Sequence, residues 1–194
     1  LHRRPGGVLI SALAQLLAAV PVVFAGVLLV LVLGVWLRWF PVQGFPLDGW
    51  RQPGRAIAAL ILPALTIGVV EGAVVLRFTR SATLEALGQD HVRTAAAKGM
   101  TLTRALVVHG LPGVLLSVLS VIGLEIAALL VGAVVVEQLF QLPGVGRMLV
   151  TDVGNRDLVK VQSELLVLTG LILVVGAVVD VLHRAIDPRQ REEA

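Results

Sequence analysis

The chain has 194 residues, 57% of them hydrophobic and 15% charged, with a mean hydropathy of +0.92. That balance excludes a water-soluble domain of this length, which needs far more polar surface. A net charge of +3 without a basic patch interleaved with aromatics excludes a nucleic-acid-binding module, and the absence of cysteine excludes disulfides and thiolate metal sites.

Four apolar stretches are long enough to cross a bilayer, which takes about 20 helical residues. His2-Arg3-Arg4 reads as a cytoplasmic loop feeding the first span, residues 8–35, in which Pro21 predicts a kink. Trp36, Trp39, Phe40, Phe45 and Trp50 follow, an aromatic belt of the kind that sits at the membrane–water interface. The loop that holds them, 36–55, is rich in Pro and Gly and reads as irregular and external. The second span covers 56–76, with Pro63 inside it. The third, 111–136, carries Gly113, Gly123, Gly132, Ser117 and Ser120, small residues that let helices approach closely and predict a central position. An external loop covers 137–160, and the fourth span, 161–181, ends in a basic tail. With the amino end inside, ten Lys and Arg residues (Arg3, Arg4, Arg77, Arg80, Arg93, Lys98, Arg104, Arg184, Arg189 and Arg191) fall on cytoplasmic segments. Six (Arg38, Arg51, Arg55, Arg147, Arg156 and Lys160) fall outside. The positive-inside rule therefore places both ends in the cytoplasm.

The longest polar interval, 77–110, is cytoplasmic in this arrangement. At its centre Asp90 predicts an N-cap, Lys98 suits the last turn of a helix, and Gly99 suits a left-handed C′ position. Thr101 then caps the next helix. The pattern is a helix leaving the membrane, a short helix lying across it, and a helix going back in.

In this stretch GQDHVRTAAAKG resembles the coupling loop of ABC importer permeases of the peptide/nickel family. WFPV (39–42), LPALTIG (62–68), VVVEQLFQLPGVGRML (134–149), NRD (155–157) and DPR (187–189) are similar to that family in the same order. LPGVGRM points to its "B"-type rather than its "C"-type member. The resemblance implies an all-α, multi-pass bundle of the type I importer permease fold in a bacterial inner membrane. It also implies that the chain supplies the last four of six spans. The implied partners are a "C"-type permease, two ATP-binding subunits that use ATP and Mg, and an external solute-binding protein. The substrate would be a dipeptide or oligopeptide. ATPase coupling would fall on Asp90, Arg93, Thr94, Ala95, Ala96, Lys98 and Gly99, with three consecutive alanines keeping the helix thin.

No phosphate-binding G-x-x-x-x-G-K-[ST] loop occurs, so the chain itself is expected to hold no ATPase site and no cofactor. His2, His91, His109 and His183 lack metal-ligand spacing and read as interfacial side chains. Within the spans, Glu125 and Glu71 are costly unless paired or hydrated and are pathway candidates, together with Ser117 and Ser120. Glu71 lies about one and a half turns from Arg77 and is expected to reach toward the inner interface. Pro143, Gly144, Gly146 and Arg147, with Asn155, Arg156 and Asp157, form either a tight surface turn or a docking and gating loop for the binding protein. The alternative reading of the chain is a proton- or cation-coupled secondary transporter working through Glu125 and Glu71. A structural membrane subunit with no pathway leaves Glu125 unexplained.

Overall fold

The computed structural model describes residues 5–186; the motif at 187–189, His2, Arg3, Arg4 and Arg191 lie outside the described residues. Eight α-helices follow one another: α1 (Pro5–Ala19), α2 (Val22–Leu29), α3 (Pro53–Gly88), α4 (Asp90–Ala97), α5 (Leu102–Ala105), α6 (Leu111–Phe140), α7 (Val145–Gly154) and α8 (Leu158–Ile186). Among the described residues, three continuous helical stretches are long and apolar enough to cross a membrane, or up to five if each of two bent pairs is one span.

The first of those pairs corrects the expected first span. Pro21 does more than kink a helix. It is itself extended (φ −58°, ψ 139°), and the helix axis turns by 104° across it. Proline denies an amide to the turn before it and pushes Val20 away from helical geometry, so the helix restarts rather than bends. After the break, α2 runs into a π-helical turn, Val30–Trp36.

The helix that holds the second span extends beyond it. Helix α3 does not stop near Leu76 but continues for twelve more residues, so the first third of the predicted loop continues this helix. The run from Arg77 to Leu87 is polar, which ends a hydropathy signal, yet it contains no Gly or Pro to end a helix. Pro63 lies buried inside α3 without interrupting it.

Helix α6 is central, packing on α2, α3, α7 and α8, with α3 its main neighbour. Of its three glycines only Gly123 makes a close approach, where a Cβ would lie 3.0 Å from Val179 on α8; Gly113 and Gly132 face open space. Helices α3 and α6 run antiparallel, so the bundle has two ends. At one, the loop after α2 meets the end of α6 through Gly44 N–H donating to the Phe140 carbonyl (2.8 Å). Leu62, Val136, Phe140 and Leu142 form a buried core there. At the other end, Val92, Ala95 and Ala105 form a smaller core around α4. These are the α7 end and the α4 end below.

Candidate functional site

The α4 end is built by local chemistry. Gln89, extended at ψ 143°, is the residue before the helix, and it makes no side-chain cap. Asp90 is therefore the first helical residue rather than the N-cap, a position where its carboxylate still suits the helix dipole. The C-terminus is a Schellman motif. Gly99 N–H donates to the Ala96 carbonyl (3.0 Å) and Met100 N–H to the Ala95 carbonyl (3.3 Å), while Gly99 takes a left-handed φ of +98°. Met100 packs back on the core beneath, supplying the hydrophobic contact of the motif. Thr101 Oγ1 then accepts from Arg104 N–H (3.4 Å) and starts α5.

The helix has two distinct faces. Val92 and Ala95 are buried against Ala105, and Ala96 is half-buried beside them. Asp90, Arg93, Thr94, Ala97 and Lys98 are exposed. Of the three alanines only Ala97 offers a thin outward surface. The alternation follows from helical periodicity: positions 92, 95 and 96 share one side. His91 donates from Nε2 to the His109 carbonyl (3.2 Å), a contact that nothing in the sequence pattern announces.

The intramembrane carboxylates come together. Glu71 on α3 and Glu125 on α6 face each other side chain to side chain. Glu71 thus turns to α6 rather than toward the membrane edge. No Lys or Arg forms an ion pair with either carboxyl among the described residues. About two helical turns, or roughly 10 Å, toward the α4 end, the same seam opens into a cleft of about 160 Å³ lined by Phe78, Ser81, Glu85 and Ser117, among others. Ser117 therefore lies on the Glu71–Glu125 seam. Ser120 does not: its hydroxyl bonds the Leu116 carbonyl (3.0 Å) and faces His183 of α8 (3.5 Å).

At the α7 end the Pro-Gly segment is more than a surface turn. Gln141 in left-handed geometry (φ 52°) ends α6, and α7 leaves at 76° to the last turns of α6. Gly146 lies on Val134 so closely that a Cβ would sit 2.6 Å from its Cα, and a Cβ on Gly144 would collide with the Glu137 carboxylate. That carboxylate accepts from Arg147 N–H (3.0 Å), placing negative charge at the N-terminus of α7, where the helix dipole favours it. Arg147 and Asp152 line an open cleft of about 300 Å³. Past α7, Arg156 is left-handed (φ 59°) and Asp157 Oδ2 pairs with Lys160 Nζ (2.9 Å). Hydrogen bonding to Lys160 holds the Asp157 carboxyl below its ordinary range.

Two acidic residues here escaped sequence reasoning. Glu137 reads there as a loop charge, not as a helix cap. Glu164, in the second turn of α8, is only 7% exposed and faces Asp152, and neither carboxylate oxygen has a donor among the described residues. The one available signal was its position four residues after Lys160, on the same face of the helix.

The comparisons with known proteins agree with one another. The sequence model of the family described as binding-protein-dependent transport system inner membrane component matches residues 1–192. The chain is similar to the dipeptide transport system permease protein of Escherichia coli strain K12, at 36% identity over 197 aligned residues covering 90% of this chain and 58% of the relative. It is similar to the di/tripeptide transport system permease protein of Pseudomonas aeruginosa strain UCBPP-PA14, at 37% over 194 residues with the same 90% and 58% coverage. The glutathione transport system permease protein of Escherichia coli strain K12 matches at 39% over 171 residues, 88% of this chain and 53% of the relative. The chain thus spans a little over half the length of these curated relatives.

Proposed function

Because the chain belongs to the family of binding-protein-dependent transport system inner membrane components, we propose that it is a permease subunit of an ATP-driven importer of small peptides. The transport activities for which its relatives are named — dipeptide, di/tripeptide and glutathione transport — support that substrate class. In this reading separate ATP-binding subunits bind and hydrolyse ATP with Mg, and an external binding protein delivers the peptide. A second, "C"-type permease completes the pathway.

The observation that carries the reading is α4. A helix of eight residues, closed by a Schellman motif and seated on its own small core, projects Arg93, Thr94, Ala97 and Lys98 outward between the ends of α3 and α6. Its charged rim suits carboxylates on a partner. A rigid plug of this kind has no role in a free loop and a direct one as a handle. Closure of the ATP-binding subunits would move the handles of the two permeases together, and the bundle would follow between inward- and outward-open states, whose populations ATP shifts. Both ends of the chain lie in the cytoplasm in this arrangement, with α4. The Glu71–Glu125–Ser117 seam is the candidate wall of the pathway. The face of α7 with Pro143, Gly144, Arg147, Asn155, Arg156 and Asp157 is the candidate rim for the binding protein.

A cysteine crosslink tests the reading. The chain has no native cysteine, and Ala97, which is exposed, is the site to label; Ala96 is half-buried. Ala97→Cys paired with cysteines in the groove of the ATP-binding subunit should crosslink with an ATP-dependent yield in assembled membranes. No crosslink from Ala97, Thr94 or Lys98 in an assembled complex would reject it.

The second reading, a proton- or cation-coupled secondary transporter, draws on the meeting of Glu71 and Glu125 without a cation. It requires uptake driven by an ion gradient without any ATP-binding subunit, and that measurement separates the two.

A further inference from the structure

The connections of α4 to its two neighbours are unequal. Toward α3 the link is one extended residue, Gln89, held by its N–H to the Ala86 carbonyl (3.2 Å). Toward α6 the link is continuous: the Schellman motif, the Thr101 cap, and Val92 and Ala95 buried on Ala105.

The entry of α6 is itself unusual. Residues Leu106–Gly110 form a π-helical collar, with Leu111 N–H donating to the Leu106 carbonyl. The cause lies in the sequence. Pro112 supplies no N–H, and its ring would crowd the carbonyl of Val108 in a regular α-helix, so the turn ahead of it widens. A carbonyl only accepts hydrogen bonds, so the His109 carbonyl on this collar fixes the hydrogen of His91 on Nε2. Gly110, the last residue of the collar, lets α4 and α3 close in: a Cβ there would lie 3.4 Å from both Val92 and Ala86 and 2.9 Å from Leu106. The collar therefore packs on the end of α3 through small groups alone and is hydrogen-bonded to α4.

We infer that His91 is a positioning residue that fastens α4 to the π-helical collar, so that α4, α5 and the head of α6 move as one lever hinged at Gln89. The thrust received by α4 is delivered to α6, the helix that carries Glu125 and Ser117, rather than to α3. The inference rests on the reading of α4 as the contact for the ATP-binding subunit, and the experiment separates the two.

The test uses the complete transporter in proteoliposomes, carrying His91→Ala or His91→Gln, with peptide transported per ATP hydrolysed as the readout. Glutamine places an amide N–H at the reach of the imidazole Nε2 and can donate to the same carbonyl. His91→Ala should lower the transport-to-hydrolysis ratio about five- to tenfold, the scale of one lost hydrogen bond, while the Ala97→Cys crosslink to the ATP-binding subunit keeps its yield. His91→Gln should restore the ratio to within about twofold. A merely structural role would lower assembly and crosslinking in both variants and leave the ratio of the surviving complexes unchanged, which overturns the inference. So does a His91→Ala ratio equal to wild type, or a His91→Gln no better than His91→Ala. Should His91→Ala fail to assemble, Pro112→Ala, which restores the missing amide and lets the collar tighten, provides the same readout with the same expected loss. A crosslink absent already from the His91 protein indicts the docking of α4 instead.

Discussion

The two ends of the bundle are packed by different means. At the α7 end the core contains Phe140 and Leu62, 1% and 0% exposed, and three glycines allow close packing: Gly26 on Leu139 and Thr66, Gly34 on Val42, Gly146 on Val134. At the α4 end the buried side chains are small, Val92 with Ala86, Ala95 and Ala105, and the remaining hold comes from hydrogen bonds at helix ends. Large interdigitated side chains allow one arrangement only, because interiors are packed as densely as organic crystals. Small side chains with directional caps define a shape without locking it to its surroundings. The α7 end is an anchor, and the α4 end is a part that can be displaced whole.

The contrast can be broken by substitution. Phe140→Ala has the largest expected effect, a loss of about 3–5 kcal/mol that unfolds both ends together. Thermal unfolding of the purified permease in detergent measures it, and a loss confined to the α7 end contradicts the anchor. Gly99→Ala forces a side chain into left-handed geometry at a strain of about 1–2 kcal/mol. The strain should fall on α4 alone, lowering transport with little change in the global melting temperature. Glu164→Gln sharpens the picture of the α7 end. An amide there donates to Asp152 and removes the repulsion between two facing carboxylates, so stability should rise, read as a higher melting temperature. The smallest effect is the acid sensitivity of Asp157. Its carboxyl, lowered by Lys160 in the folded chain, contributes stability that is fully present above its unfolded value of about 3.9. That contribution is lost as pH falls through the folded value. Asp157→Asn should therefore flatten the melting profile only on the acid side, below about pH 4.

What could be read from the sequence was local. Gly99 in left-handed geometry and Thr101 as a cap follow from the residues within a few positions of them, and both are in place. The N-cap was misplaced by one residue, since Asp90 and Gln89 compete and the extended backbone falls on Gln89. The all-helical, multi-pass character follows from long apolar runs. Hydropathy reports where a helix leaves an apolar environment rather than where it ends, and so it stopped α3 at Leu76. The meeting of Glu71 with Glu125 depends on the antiparallel register of α3 and α6, which no local pattern encodes. Glu137 at the start of α7 and Glu164 against Asp152 depend on a 76° bend and on the packing of α7, again set far along the chain.

The length of α3 has an electrostatic consequence. Thirty-six residues at 1.5 Å each reach about 54 Å, against about 40–45 Å for a whole bilayer with its headgroups. In the proposed orientation the helix is long enough to act as a stalk that holds Arg93 and Lys98 beyond the lipid surface. Their field meets mobile ions with a screening length of about 8 Å in physiological salt, not the fixed negative charge of lipid headgroups. Whatever docks on α4 thus competes with dissolved salt rather than with the membrane, and the strength of that engagement is tuned by ionic strength and not by lipid composition.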